Sequence, residues 1–286
     1  MSFLKVMVLA IVQGLAELLP ISSSAHVVVA EKLMGLDPAA PSMTLLLVML
    51  HTGTMFAVIV YFWRRWRATY FASMAQFKRV AVQVILATFL TGVIYEGLVQ
   101  LLERTAFRGA PHAQIEDLFN HLELIAPALA AAGILILVAG LREGRATGNS
   151  PGDLSTRQAG IIGAVQGLCL PFRGFSRSGA TISAGMLSGV AKASAENFSF
   201  ALAVVLTPAV VAREALRVVH AEHEGGAAAP ASAAVPSLVG AAVAFLAGLI
   251  ALKWLSGWLE NGRWYLFGVY CLIAAAAVAG LYFAGY

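Results

Sequence analysis

The stretch that decides the fold is Val6-Met-Val-Leu-Ala-Ile-Val-Gln-Gly-Leu-Ala-Glu17-Leu-Leu-Pro20-Ile-Ser-Ser-Ser-Ala-His26-Val-Val-Val-Ala30. It is apolar at both ends and interrupted in the middle by Glu17, Pro20, the serine run Ser22–Ser24 and His26. An ionised group on a lipid-facing helix costs about 2.5–3.5 kcal/mol at mid-bilayer on insertion scales. Irregular backbone survives at that depth only where protein shields it. The stretch is therefore predicted as two half-helices broken at Pro20, a hairpin that enters the membrane and returns to the same side. Gln158–Val190 has the same character: Pro171, Arg173, Arg177 and several glycines break an apolar run. It predicts a second re-entrant hairpin.

The rest of the chain sets these hairpins in a bilayer. Hydrophobic residues make up 59% of the 286 positions and charged residues 12%. A soluble domain carries about 25% charged residues, so too few charges are present to cover a water-exposed surface of this size. Disorder is excluded by the same apolar content and a net charge of only +4. Stretches able to cross run roughly over Ser42–Phe62, Val80–Leu101, Leu122–Leu141, Asn197–Ala212, Pro236–Leu255 and Trp264–Tyr286. Lys5 before an apolar run has the outline of a signal peptide. Gln13 and Glu17 interrupt that run and no small-residue site follows, so no cleavage is expected. Cys169 and Cys271 both lie in apolar stretches and are expected to be buried thiols rather than a disulfide or a metal site.

Loop charges predict the topology. Arg64, Arg65, Arg67, Lys78 and Arg79 stand together without an acid, which assigns that connection to the cytoplasm. Glu103–His121 mixes both signs and is expected outside. Arg142, Arg145 and Arg157 return the chain inside, and His220–Val235, without Lys or Arg, lies outside. Lys253 and Arg263 flank the last inner turn. One hairpin then opens outward and the other inward, each followed by three spans. The prediction is an all-α polytopic membrane protein of six transmembrane helices and two re-entrant hairpins in an inverted-topology repeat. Residues 1–145 form the first repeat and 146–286 the second, within one membrane domain. Val12-Gln13-Gly14-Leu15 recurs as Val165-Gln166-Gly167-Leu168 at matching points of the two hairpins.

The hairpins also hold the polar residues. Gln13 and Glu17 are four apart and share a helix face. Ser22, Ser23 and Ser24 suit the N-terminus of a helix beginning near Ala25. Ser23 and His26 are one turn apart, and a serine beside a histidine is the minimum for an activated nucleophile. In a soluble protein such a pair is more often a cap and a buried histidine. Inside a membrane hairpin with an acid nearby, the functional alternative prevails. In the second hairpin, Ser176 or Ser178 can cap the next helix, beside Arg173, Arg177 and Thr181. A helix N-terminus with hydroxyls and an arginine is suited to an oxyanion or phosphate.

Two segments then carry a resemblance. Gln13-x-x-x-Glu17-x-x-Pro20-x-Ser-Ser-x-x-His26 resembles the first signature of the undecaprenyl-diphosphate phosphatase, or bacitracin-resistance, family. Gly174-Phe-Ser176-Arg177-Ser178-Gly179-Ala-Thr181 resembles its second. The resemblance implies an integral membrane enzyme that removes one phosphate from undecaprenyl diphosphate, recycling the lipid carrier of peptidoglycan synthesis. It implies a site open to the periplasm of the inner membrane. Glu17, Ser23, His26 and Arg177 match its functional positions; Ser22, Ser176, Ser178 and Thr181 match its phosphate-binding ones. Ser24, Gln13 and Arg173 are expected to join them in binding substrate. The chain departs from the pattern at Gln13, where many members have glutamate, and at Ala25, where glycine is common. It also departs at Phe172-Arg173, which split a Pro-Gly pair and place an extra cation near the site.

The expected mechanism is attack by Ser23 on the terminal phosphorus, with His26 as general base and Arg177 clamping the phosphoryl oxygens; the rival is direct attack by His26, forming a phosphohistidine. Glu17 would orient His26 or hold a divalent cation, Mg2+ by resemblance. Expected partners are a polyprenyl diphosphate, the bilayer and, left open, a second copy in a homodimer, with no nucleic acid. The competing function is a transporter or flippase of the lipid carrier, which would need anion-binding groups but no nucleophile. A channel is poorly supported, because no repeated pore ring is visible.

Overall fold

The computed structural model describes residues 2–36, 41–106, 122–142, 154–223 and 234–285. Among these the chain is entirely helical. Helices α1 (Phe3–Leu18) and α2 (Ser23–Leu33) come first, followed by the long α3 (Pro41–Thr69), α4 (Met74–Ala106) and α5 (Leu122–Leu141). The order then repeats: short α6 (Thr156–Cys169) and α7 (Arg177–Leu187), then α8 (Lys192–His223), α9 (Ala234–Glu260) and α10 (Trp264–Phe283). At about 1.5 Å per residue, none of α1, α2, α6 and α7 reaches across a hydrocarbon layer about 30 Å thick.

Among the described residues five helices, α3, α4, α5, α9 and α10, are long and apolar enough to cross a membrane. Their outer faces expose large apolar side chains, among them Ile85 at 67%, Phe89 at 65% and Ile273 at 66%. Water would not tolerate such a belt, and lipid would. The protein is a multi-pass membrane protein.

The expected sixth span, Asn197–Ala212, lies inside α8, whose side chains are only partly described, and it is not one of the five found among the described residues. Its first half carries Ser194, Glu196, Asn197 and Ser199, of which Ser194, Glu196 and Ser199 are buried. The polar groups face protein instead of lipid. The loop charges are also differently placed. Helix α3 runs to Thr69, so Arg64, Arg65 and Arg67 belong to its last turns, and Lys78 and Arg79 belong to the start of α4. Arg65 bonds the buried Glu196 carboxylate at 3.3 Å and lies 3.5 Å from Glu260. Ser256 donates to the same Glu196 at 2.6 Å, so this end of α3, α8 and α9 is tied together. The residues Arg108, Glu116, Asp117 and Arg145, and most of His220–Val235, lie outside the described residues or have undescribed side chains.

Packing follows the two short helices that carry the Val-Gln-Gly-Leu segments. Helix α1 lies on α9: a Cβ added at Gly14 would stand 2.7 Å from the Ala244 carbonyl oxygen. Helix α6 lies on α4 in the same manner, with a Cβ at Gly167 meeting the Thr91 carbonyl oxygen at 2.7 Å. Only glycine permits that approach. Gly167→Leu should therefore lower stability by about 1–3 kcal/mol through overpacking. Thermal unfolding in detergent tests this, and an unchanged midpoint would contradict the packing.

The turns are built locally. Helix α1 stops before Pro20, which supplies no N–H donor. Ser155 and Gln158 form a capping box at the start of α6, and Ser176 caps α7 by accepting from the Gly179 amide at 3.2 Å. Gly174, at φ +99°, lets the α6–α7 connection pass Ile125, whose carbonyl oxygen would sit 2.6 Å from a Cβ there. Ser22 precedes α2 but makes no side-chain cap bond; its hydroxyl lies 3.2 Å from that of Ser24.

Candidate active site

The two hairpin tips meet. The Gly174 amide donates to the Ser24 hydroxyl at 3.3 Å, and the Ser178 hydroxyl donates to the Leu19 carbonyl at 3.3 Å. Between them lies a polar cavity of about 290 Å3. Glu17, Ser22, Ser23 and Ser24 line it from the first hairpin; Arg173, Ser176, Arg177 and Ser178 line it from the second.

Glu17 is the hub. Its Oε2 accepts the Ser23 hydroxyl in a short bond and the Gln13 amide at 3.2 Å. Its Oε1 accepts from Arg177 Nη2 at 3.3 Å. Arg177 is the first residue of α7, so its positive charge and the N-terminal amides of that helix share one end of the cavity. Its Nη1 is buried and has no hydrogen-bond partner. A buried guanidinium nitrogen without an acceptor is costly, and a phosphoryl oxygen would satisfy it. Arg173 stands on the same wall, and its charge also acts on the buried carboxylate of Glu31.

Three expected residues do not line this cavity. Gln13 is buried behind Glu17, held by the bond just described. Thr181 is fully buried and bonds Ser199 at 2.6 Å and the Arg177 carbonyl at 2.8 Å, so it seats α7 against α8. His26 turns away from Ser23. Its Nδ1 lies 2.7 Å from the Ser22 carbonyl oxygen, and its Nε2 lies 2.7 Å from the Tyr270 hydroxyl. It lines a separate apolar cavity of about 400 Å3 with Trp254, Trp258, Phe267 and Tyr270; Ala16 borders both cavities. Both ring nitrogens are engaged, and the pairing of Ser23 with His26 gives way to a pairing of Ser23 with Glu17. Three-residue spacing puts two side chains on one helix face without fixing where each points.

One residue was missed in the sequence. His51, on α3, lines the polar cavity with Nε2 3.9 Å from Glu17 Oε2, while its Nδ1 lies 2.8 Å from the Leu47 carbonyl oxygen. Its signal was present: an ionisable residue inside the apolar run Ser42–Phe62. Cys169 and Cys271 are free and buried, as expected.

Among the described residues no three His, Cys, Asp or Glu side chains converge on a cation position. Mg2+ is often held by one carboxylate together with substrate phosphates. Glu17 fits that limited role. A serine hydroxyl bonded to a carboxylate, facing an arginine and a helix N-terminus, is equipped to transfer a phosphoryl group.

Comparison with known proteins agrees on one family. Residues 6–277 match the family described as bacitracin resistance protein BacA. The chain is 57% identical over 284 residues to undecaprenyl-diphosphatase 2 of Acinetobacter baylyi, covering 98% of each. It is 34% identical to undecaprenyl-diphosphatase 2 of Burkholderia thailandensis, covering 97% of this chain and 94% of that one. It is 33% identical to the undecaprenyl-diphosphatase of Rhodopirellula baltica, covering 96% of each.

Proposed function

Since the chain belongs to the BacA family of bacitracin resistance proteins, we propose that it is an undecaprenyl-diphosphatase. It hydrolyses the lipid carrier diphosphate to the monophosphate and inorganic phosphate, returning the carrier to cell-wall synthesis and conferring bacitracin resistance. The observation that carries this reading is the contact of the Ser23 hydroxyl with Glu17, beside an arginine nitrogen that lacks an acceptor. A transporter of the lipid carrier would need the arginine but not the activated hydroxyl. The apolar cavity that shares Ala16 with the polar one gives a lipid chain somewhere to run from its headgroup.

In the first step Glu17 accepts the Ser23 proton and Ser23 Oγ attacks the terminal phosphorus. The bond to the bridging oxygen breaks, and the lipid monophosphate leaves. Arg177 and the α7 N-terminus hold the phosphoryl oxygens through the transition state. Ser22, Ser24, Ser176 and Ser178 supply further polar contacts around the cavity. Water then attacks the phosphoserine, releasing inorganic phosphate and restoring Ser23. Bound Mg2+, held by Glu17 and the phosphate oxygens, would neutralise diphosphate charge.

The arrangement proposed is six spans and two re-entrant hairpins in an inverted repeat, 1–145 and 146–286, with α8 as the sixth span. Its support is the repeated order of two short helices and three long ones, and the matched seating of α1 on α9 and α6 on α4. The site would face the periplasm across the inner membrane. Thiol labelling tests this orientation. A cysteine at the exposed Lys32 should react from the periplasmic side and one at the exposed Ser73 only from the cytoplasm. The reverse pattern would overturn it.

Purified protein should release one phosphate per long-chain polyprenyl diphosphate and stop at the monophosphate. A chelator should abolish release and Mg2+ restore it. Movement of the intact diphosphate across vesicles without phosphate release would favour the transporter instead.

A further inference from the structure

The turn that presents Ser23 is strained, and what holds it lies on the far end of the chain. Ser22 is the one non-glycine residue with positive φ among the described residues, at φ 68° and ψ 94°. Such a backbone persists only when its surroundings fix it. The Ser22 side chain makes no cap bond to the helix. Its carbonyl is held by His26, through the His26 amide at 3.4 Å and Nδ1 at 2.7 Å.

That second contact determines the ring. A carbonyl oxygen only accepts, so Nδ1 must carry the proton, and Nε2 of the neutral ring presents a lone pair. The Tyr270 hydroxyl meets it at 2.7 Å and donates. The two rings also stack, with centroids 5.7 Å apart and planes 13° from parallel. Tyr270 O–H, His26 and the Ser22 carbonyl thus form one directed chain, in which each bond strengthens the next.

We propose that Tyr270 is a positioning residue for the phosphoryl-transfer site, fixing the His26 tautomer so that His26 holds the Ser22 turn and Ser23 stays on Glu17. This rests on the reading of Ser23 as nucleophile. Tyr270 is not on the wall of the polar cavity, so it acts without touching the reacting atoms. It stands on an apolar helix and is 43% exposed, where phenylalanine would suffice for packing. In a lipid setting no water competes for its hydroxyl.

Tyr270→Phe keeps the ring and removes one oxygen. With polyprenyl diphosphate, kcat should fall about 3- to 10-fold with KM unchanged, the effect of one lost hydrogen bond. In a His26→Asn background, the same change should cost less than about 2-fold further, because Tyr270 acts through His26. Nitrogen NMR of histidine-labelled protein should show the Nδ1–H tautomer at His26, assigned by its loss in His26→Asn, and a mixed ring in Tyr270→Phe. An unchanged kcat, a rise in KM alone, equal losses in both backgrounds, or an Nε2–H tautomer in the parent would each overturn the proposal. Parent protein inactive on the diphosphate but showing the Nδ1–H tautomer would overturn the functional reading and leave the Tyr270 contact standing.

Discussion

Glu17→Gln should lower kcat for phosphate release about 100- to 10,000-fold, the range of a lost general base. Glutamine matches the size of glutamate and keeps an acceptor for Gln13 and Ser23, but it takes no proton. The change also releases Arg177 Nη2, which now bonds Glu17 Oε1 at 3.3 Å. Because Glu17 would also hold Mg2+, the comparison is made at saturating Mg2+, where the loss should fall on kcat while KM holds or drops. Ser23→Ala should be similarly crippled. The double variant should be hardly worse than either single one, because hydroxyl and carboxylate act as a unit. Multiplicative losses in the double variant would show that the two residues serve separate steps.

Arg177→Lys should lose roughly 30- to 1000-fold in turnover although the charge is kept, about 2–4 kcal/mol of transition-state stabilisation. The guanidinium has two tasks at once: Nη2 on Glu17, and buried Nη1 with no partner from the protein. An ammonium is a point charge that cannot serve both with fixed geometry. Near-normal turnover in the lysine variant would reduce Arg177 to a charge that only orders the hairpin. Arg173→Ala should cost less, since Arg173 lines the cavity whereas Arg177 bonds Glu17 directly.

What could be read from the sequence was local. Pro20 and the serine run mark the break between α1 and α2, because proline and small polar residues act on the backbone within a few positions. The capping of α7 by Ser176 was legible for the same reason. Convergence of Glu17 and Arg177 followed from two interrupted apolar runs whose charges had to meet something. The side-chain partner of His26 was not legible. Tyr270 lies 244 positions away, on a helix whose rotation depends on packing against α5. Nor was the direction of Thr181, which faces Ser199 rather than the cavity. His51 was legible but overlooked within an otherwise apolar helix. The reach of α3 to Thr69 was hidden because arginines that look like loop residues can extend a helix past the lipid and pair there, as Arg65 does with Glu196.

In the proposed mechanism the Ser23 hydroxyl does the chemistry and His26 holds it in place. Turnover of Ser23→Ala and His26→Asn, measured side by side on a long-chain polyprenyl diphosphate, tests it most directly. Asparagine can still donate to the Ser22 carbonyl but cannot act as base or nucleophile. Ser23→Ala should fall at least about 1000-fold while His26→Asn keeps about a tenth or more of the activity. A dead His26→Asn beside a Ser23→Ala that retains most of its turnover, with an acid-labile phosphoenzyme, would assign the attack to the histidine.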